Sequence, residues 1–238
     1  MGMGTIILNC DLGENESAEH TERLMARVGA ANICCGVHAG NEAKTRATLE
    51  LAKRYGVMVG AHPGLAVAGG RGADLPSVDE FRVLLEDQMG SFIRLAKEVG
   101  VAVRYVKLHG SLYHAVERVD ALAAAYLNCI ESMDTSLGVF CLAGGSFAKR
   151  ARAEGLHVWE EAFADRGYTA EGQLVPRGQP GALIDSVPAA VERLQQWQQT
   201  GAMSTVDAGS VIFRAETVCV HSDSPDAVQL LEALGGLS

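Results

Sequence analysis

One local order recurs along this chain: an apolar run, then an ionisable residue, then glycine, then a helical stretch. Cys10-Asp-Leu-Gly13, Asn32-Ile-Cys-Cys-Gly-Val-His-Ala-Gly40, Val59-Gly-Ala-His-Pro-Gly64 and Val106-Lys-Leu-His-Gly110 all follow it. Glycine suits points where the backbone turns sharply or approaches a ligand closely. Strands alternating with helices through short connections form a parallel sheet with the helices outside.

Apolar runs predict strands over Thr5–Cys10, Ala31–Cys35, Val57–Ala61, Ala102–Leu108, Leu137–Leu142, His157–Phe163 and Glu216–His221. Helical spacing fills most of the gaps: after Asp11 to about Val28, Asn41 to Tyr55, Tyr113 to Met133, Ser146 to Gly155, Pro188 to Gln199 and Pro225 to Leu234. The longest helix opens at Ser77-Val-Asp-Glu80, a capping box, and stops at Gly100. Gly56 closes the helix before it as a C′ glycine. Residues Thr169 to Ile184, rich in glycine and proline, break the pattern, and long irregular loops in compact domains are usually functional. Seven such units suit a closed, irregular seven-stranded parallel β/α barrel of TIM-like type, and 238 residues suit one domain, 1–238. No Rossmann glycine fingerprint follows the first strand.

In a parallel barrel the active site lies at the carboxyl ends of the strands. Those ends present Asp11, Glu14, His38, His62, Lys107, His109, Asp165, Arg166, His221 and Asp223, including four of the seven histidines. That concentration points to one shared site. Asp11, His38 and His62 make a sufficient ligand set for a divalent metal such as zinc or manganese. Metal-free acid–base chemistry, with Asp11 or Asp165 as base and histidines as proton carriers, is the other option. Lys107 and Arg166 add positive charge suited to an anionic substrate or phosphate, or stand as solvated rim charges. No P-loop is present, and the Gly-x-Ser-x-Gly elbow of a serine hydrolase is absent around Ser146. Ala143-Gly-Gly-Ser146 reads as a plain helix start, with a phosphate cradle as the weaker option.

A net charge of −9 argues against nucleic acid as a partner and suits a cytoplasmic protein. No apolar run is long enough to span a bilayer, and no secretory leader precedes the first strand. The six cysteines show neither disulfide nor zinc spacing and mostly sit in apolar runs, as reduced core thiols do.

Eight stretches resemble the LamB/YcsF family, the family of 5-oxoprolinase A subunits. They are LNCDLGE (8–14), AANICCGVHAG (30–40), GAHPG (60–64), YVKLHGSLYH (105–114), CLAGGS (141–146), EEAFADRGY (160–168), LVPRGQPGALI (174–184) and TVCVHSD (217–223), and they run in order along nearly the whole chain. The family is similar in fold to sugar and peptidoglycan deacetylase barrels. The resemblance implies ATP-dependent opening of the 5-oxoproline lactam to glutamate, with separate B and C subunits and magnesium accompanying ATP. It makes Asp11, His38, His62, Lys107 and His109 the catalytic candidates. Glu14, Asn41, Arg71, Asp165, Arg166, Arg177 and His221 become candidates for holding substrate or phosphate. Some positions depart from the family pattern: Asn41 replaces an aspartate, Leu108 a proline, His114 an asparagine and Ser222 a glycine, and the loop Leu65–Gly72 is shorter with a single arginine. Two further readings stand beside this one: a stand-alone metal-dependent deacetylase or amidohydrolase on the same barrel, and a non-catalytic subunit that binds a small acid. Any of the three is compatible with a homo-oligomer.

Overall fold

Parallel strand pairing runs without a break around the molecule in the computed structural model, which describes residues 5–72, 74–133 and 136–236. In chain order the elements are β1 (Ile7–Leu12), α1 (Ala18–Met25), β2 (Ala30–Cys34), α2 (Glu42–Tyr55), β3 (Met58–His62), α3 (Val78–Val99), β4 (Val103–Val106) and α4 (Ser111–Ala115). Then come α5 (Asp120–Met133), β5 (Gly138–Leu142), α6 (Ser146–Ala153), β6 (Val158–Phe163), α7 (Val187–Thr200), β7 (Ala202–Ser204), β8 (Ser210–Ile212), β9 (Thr217–Val220) and α8 (Ala227–Leu234). The barrel order is β1-β2-β3-β4-β5-β6-β9, and β9 closes it by pairing with both β6 and β1. This is the seven-stranded parallel β/α barrel that the sequence predicts.

Helix ends follow local chemistry. Ser77 and Glu80 form the full capping box at α3, and Gly56 and Gly100 take left-handed φ values of 66° and 79° to end α2 and α3. The six cysteines are free thiols. No helix among the described residues is long and apolar enough to cross a membrane.

Three expectations shift. The first strand runs to Leu12 rather than Cys10, because Asp11 and Leu12 pair with Asn32 and Ile33 of β2, so Asp11 sits on the strand itself. The helix expected over Tyr113–Met133 is two, α4 and α5. Between them Glu117 leaves the helical path, and its Oε2 accepts from Ser146 Oγ at 3.0 Å and Phe147 N at 3.2 Å. The chain's own carboxylate therefore occupies the start of α6. A two-stranded antiparallel hairpin, β7–β8, also follows α7, too short to show a periodic pattern.

Inside the barrel, side chains fill the lumen in layers. Tyr105 stacks on Phe140 with ring centroids 3.7 Å apart, and with Trp159, Ile7 and Met58 it plugs the amino-terminal end. Gly60 makes the room for it: a Cβ there would stand 2.1 Å from the Tyr105 ring. The carboxyl end is left to polar side chains.

Candidate active site

The deepest polar layer is built by strand register. Asn9 and Asp11 of β1 face Asn32 of β2, Lys107 follows β4 directly, and Glu161 lies on β6. Lys107 Nζ stands 2.9 Å from Asp11 Oδ1, 3.0 Å from Glu161 Oε1 and 3.1 Å from Cys219 Sγ. Asn32 Nδ2 donates to Asp11 Oδ1 and to Asn9 Oδ1, both at 2.7 Å, and Tyr105 donates to Asn32 Oδ1. Asn9 Nδ2 in turn donates to Glu161 Oε1 at 2.9 Å. Burial opposes charge on Asp11, but Lys107 and then His62 outweigh it and hold the carboxyl well below the usual carboxylate range. Burial wins at Glu161, whose carboxyl is raised despite Lys107. Lys107 is thus the shared counter-ion of two carboxylates, fully buried, rather than a free cation awaiting an anion.

Above this layer the end of β3 and the loops after β1, β2 and β4 bring His62, Glu14, His38 and His109 together, their ligand atoms all within 4.8 Å of one another. Glu14 Oε1 is the hub, 3.1 Å from His38 Nε2, 3.2 Å from His109 Nδ1 and 3.8 Å from His62 Nε2. Two carbonyls fix two of the rings. His62 Nδ1 donates to Lys107 O at 2.8 Å, and His109 Nε2 donates to Gly69 O at 3.1 Å. The remaining nitrogens, His62 Nε2 and His109 Nδ1, then face each other at 2.9 Å beside the carboxylate. Two lone pairs and a carboxylate this close require a cation between them, either a proton or a metal ion. Burial pushes His62 down to about 4, so its ring is neutral at neutral pH. The donor set, three imidazoles and one carboxylate with outer hydrogen bonds in place, fits a zinc-class divalent metal. Asp11 stands beside this set, its Oδ2 3.5 Å from His62 Nε2. Of the ligands expected from the sequence, His38 and His62 are in the cluster, Glu14 and His109 join them, and Asp11 leans on Lys107. Gly64 and Gly70 let the chain pass this close: a Cβ on Gly64 would lie 2.5 Å from His38 Nδ1, and one on Gly70 2.5 Å from His109 Cδ2. The short loop 65–72 therefore supports the histidines directly.

The opposite wall comes from β6 and β9. His221 Nδ1 donates to Asp165, with oxygens at 3.0 and 3.1 Å, and stacks on Phe163 at 5.5 Å between centroids. Burial opposes the Asp165 charge, but His221 outweighs it and lowers the carboxyl's pKa. Arg166 is buried, with Nε on Ala182 O at 3.0 Å and Nη2 on Val175 O at 2.6 Å. Arg177 and Arg71 share Asp223 at the rim, at 3.1 and 3.7 Å. Between the walls is a cavity of about 250 Å³, lined among others by Asp11, His62, Lys107, His109, Arg71, Arg166, Arg177 and His221. Asn41 is not brought there; its side chain caps α2, accepting from Lys44 N at 3.0 Å. Glu161, Asn9, Asn32 and Cys219 are site neighbours that fall in the family-like stretches but that the reading of strand ends does not single out. They lie inside strands, and only the one-residue register of the sheet reveals that they face inward.

A sequence model described as the LamB/YcsF family matches residues 6–236. The chain belongs to the LamB/YcsF family. It is 38% identical over 228 residues to the A subunit of 5-oxoprolinase from Bordetella pertussis strain Tohama I, covering 94% of this chain and 90% of that one. It is also similar to the crystal structure of the lactam utilization protein from Thermus thermophilus, with a TM-score of 0.88, 33% identity and coverage of 98% and 97%. A family 4 carbohydrate esterase from Streptomyces lividans shares the fold alone, at a TM-score of 0.52 and 10% identity over 100% of this chain and 91% of that one. The LamB/YcsF barrel thus has its polar residues where barrels of this class do chemistry, at the carboxyl ends of the strands.

Proposed function

We propose that this chain is the A subunit of a 5-oxoprolinase and opens the 5-oxoproline ring to give L-glutamate with hydrolysis of ATP, working as one barrel domain with separate B and C subunits. The observation that carries the reading is the ionised Asp11 at the cavity floor, beside His221 of the adjacent β9 and its partner Asp165, in a chain similar end to end to proteins named as A subunits. A lactam is a stable amide, and phosphorylating its oxygen from ATP makes the ring carbon open to water. Asp11 Oδ1 is taken by Lys107 and Asn32, so Oδ2 takes the proton of the attacking water. His221, oriented through Nδ1 by Asp165, turns its other ring nitrogen to the cavity and gives a proton to the ring nitrogen as the C–N bond breaks. The acyl phosphate so formed then loses inorganic phosphate to a second water, leaving glutamate. At about 250 Å³ the cavity falls below the roughly 300–1,000 Å³ of sites that enclose drug-sized ligands, so it suits a small cyclic amide.

The four-donor cluster favours a second reading, a metal-dependent amidohydrolase. Glu14, His38, His62 and His109 would hold the ion, which supplies Lewis-acid polarisation of the amide carbonyl when bound. The test is 5-oxoproline-dependent ATP hydrolysis and glutamate release by the chain alone and with B and C subunits, before and after chelation. Turnover only in the mixture supports the first reading. ATP-independent amide cleavage by protein carrying stoichiometric zinc or manganese replaces it with the second.

A further inference from the structure

We propose that Arg166 is the receptor for the substrate's carboxylate, so that the cavity takes small anionic cyclic amides and excludes uncharged ones. The proposal rests on the lactam-opening function above and names the group that selects the substrate.

Arg166 is only 4% exposed, and a buried ion needs compensation. Two of its five N–H donors go to neutral carbonyls, Ala182 O and Val175 O. Among the described residues no carboxylate oxygen lies within 4.0 Å of its guanidinium. Its neighbour Asp165 has both oxygens committed to His221, through the backbone N–H and Nδ1. Arg166 lines the cavity. Arg71 and Arg177 line it too, sharing one carboxylate, Asp223, so this wall carries a surplus of positive charge. Lys107 cannot absorb an incoming anion in its place, because Asp11 and Glu161 already neutralise it.

Strand order decides which anion. β6, β9 and β1 are consecutive in the barrel, and they present Arg166, His221 and Asp11 in that sequence around the mouth. In 5-oxoproline the carboxylate, the ring nitrogen and the reacting carbonyl also follow one another. Placing the carboxylate on Arg166 puts the nitrogen toward His221 and the carbonyl carbon toward Asp11. A phosphoryl group on the carbonyl oxygen would sit at the Asp11 end, away from Arg166. The planar guanidinium edge matches a carboxylate, and Phe163, Leu174 and Pro176 offer apolar surface to the ring methylenes.

The experiment measures binding by calorimetry on the intact chain without ATP or partners. The probes are L-5-oxoproline, the uncharged 2-pyrrolidinone, cyclopentanecarboxylate and inorganic phosphate. Both carboxylates are expected to bind at least about tenfold more tightly than 2-pyrrolidinone, the scale of one charge-assisted hydrogen bond. Arg166→Gln should erase that difference. Arg166 also pins two loop carbonyls, so the ligand series on the unaltered protein stands as a test by itself. Equal affinity for 2-pyrrolidinone and 5-oxoproline, or no binding of either carboxylate, overturns the proposal. Displacement of 5-oxoproline by phosphate more readily than by cyclopentanecarboxylate overturns it as well, giving Arg166 to a phosphoryl group. The two readings fail separately. Arg166-dependent carboxylate binding without glutamate formation in the assembled enzyme removes the lactam function and keeps the subsite. Glutamate formation with full acceptance of 2-pyrrolidinone does the reverse.

Discussion

On the β1–β4 side of the barrel mouth the surplus groups are acceptors: the Glu14 carboxylate, the second oxygen of Asp11 and the facing nitrogens of His62 and His109. On the β6–β9 side donors prevail: Arg166 and Arg177, with Arg71 reaching over from the loop after β3, stand against Asp223 and the His221-bound Asp165. Beneath both, the Asn9–Asp11–Asn32–Lys107–Glu161 layer nearly balances itself. The difference separates framework from chemistry. A layer bonded mostly to itself, with Glu161 Oε2 left without a partner, holds the barrel in register, while walls left unbalanced in opposite senses hold a dipolar substrate in one direction between them.

The largest way to break this arrangement is Asp11→Asn, which keeps the shape and removes the proton acceptor. A fall of about 10²- to 10⁴-fold in glutamate release by the assembled enzyme is expected, with the fold retained by circular dichroism. Retained turnover would move the base elsewhere. Next is Lys107→Met, which leaves Asp11 and Glu161 buried without their counter-ion. Urea denaturation should show a loss of about 3–5 kcal/mol, the cost of breaking a buried pair from one side. A loss below about 1 kcal/mol would mean that the layer is not the framework. Asp165→Asn acts on one wall only. It weakens the hold on His221 and should lower kcat by roughly 10²-fold while leaving carboxylate binding in place. Gly64→Ala tests the other wall. Its Cβ meets His38 Nδ1, and about 1–3 kcal/mol of overpacking should displace the ring and weaken zinc uptake, read by metal analysis, without touching the Arg166 side.

Much of this is legible in the unfolded chain. Each apolar-run-to-glycine unit places one ionisable residue at a strand end, so the histidine cluster and Arg166 follow from counting strands. The Ser77–Glu80 box and the terminal glycines of α2 and α3 are local signals and need nothing from the rest of the fold. Glu161 is not legible, because Trp159-Glu-Glu-Ala-Phe163 offers two adjacent glutamates and only sheet register says which one faces the lumen. The break between α4 and α5 is hidden for a similar reason. The task of Glu117, capping α6 across 29 residues of sequence, exists only in three dimensions. Asn41 misleads in the opposite way. The family resemblance makes it a pocket candidate, while its side chain serves as the N-cap of α2.

The smallest effect concerns His114, which joins the two walls through its place in the cavity lining. Burial, and then the neighbouring Arg166 and Arg118, push its imidazole down to about 4. The unfolded chain should titrate near 6.5. Between those values the unfolded state binds more protons than the folded one, so stability rises with pH through this window. The contribution is complete above about pH 6.5 and is lost as pH falls toward 4. Its size should be about 1–3 kcal/mol, since partial exposure screens the charges. Comparing His114→Asn with the unaltered chain by denaturation at pH 5 and pH 7 isolates the term: the variant should lose less stability on acidification. Arg166→Gln should raise the His114 titration, followed by NMR, because it removes the stronger of the two arginine charges that oppose protonation. An unmoved titration would separate His114 electrically from Arg166 and leave the donor-rich wall with one member fewer.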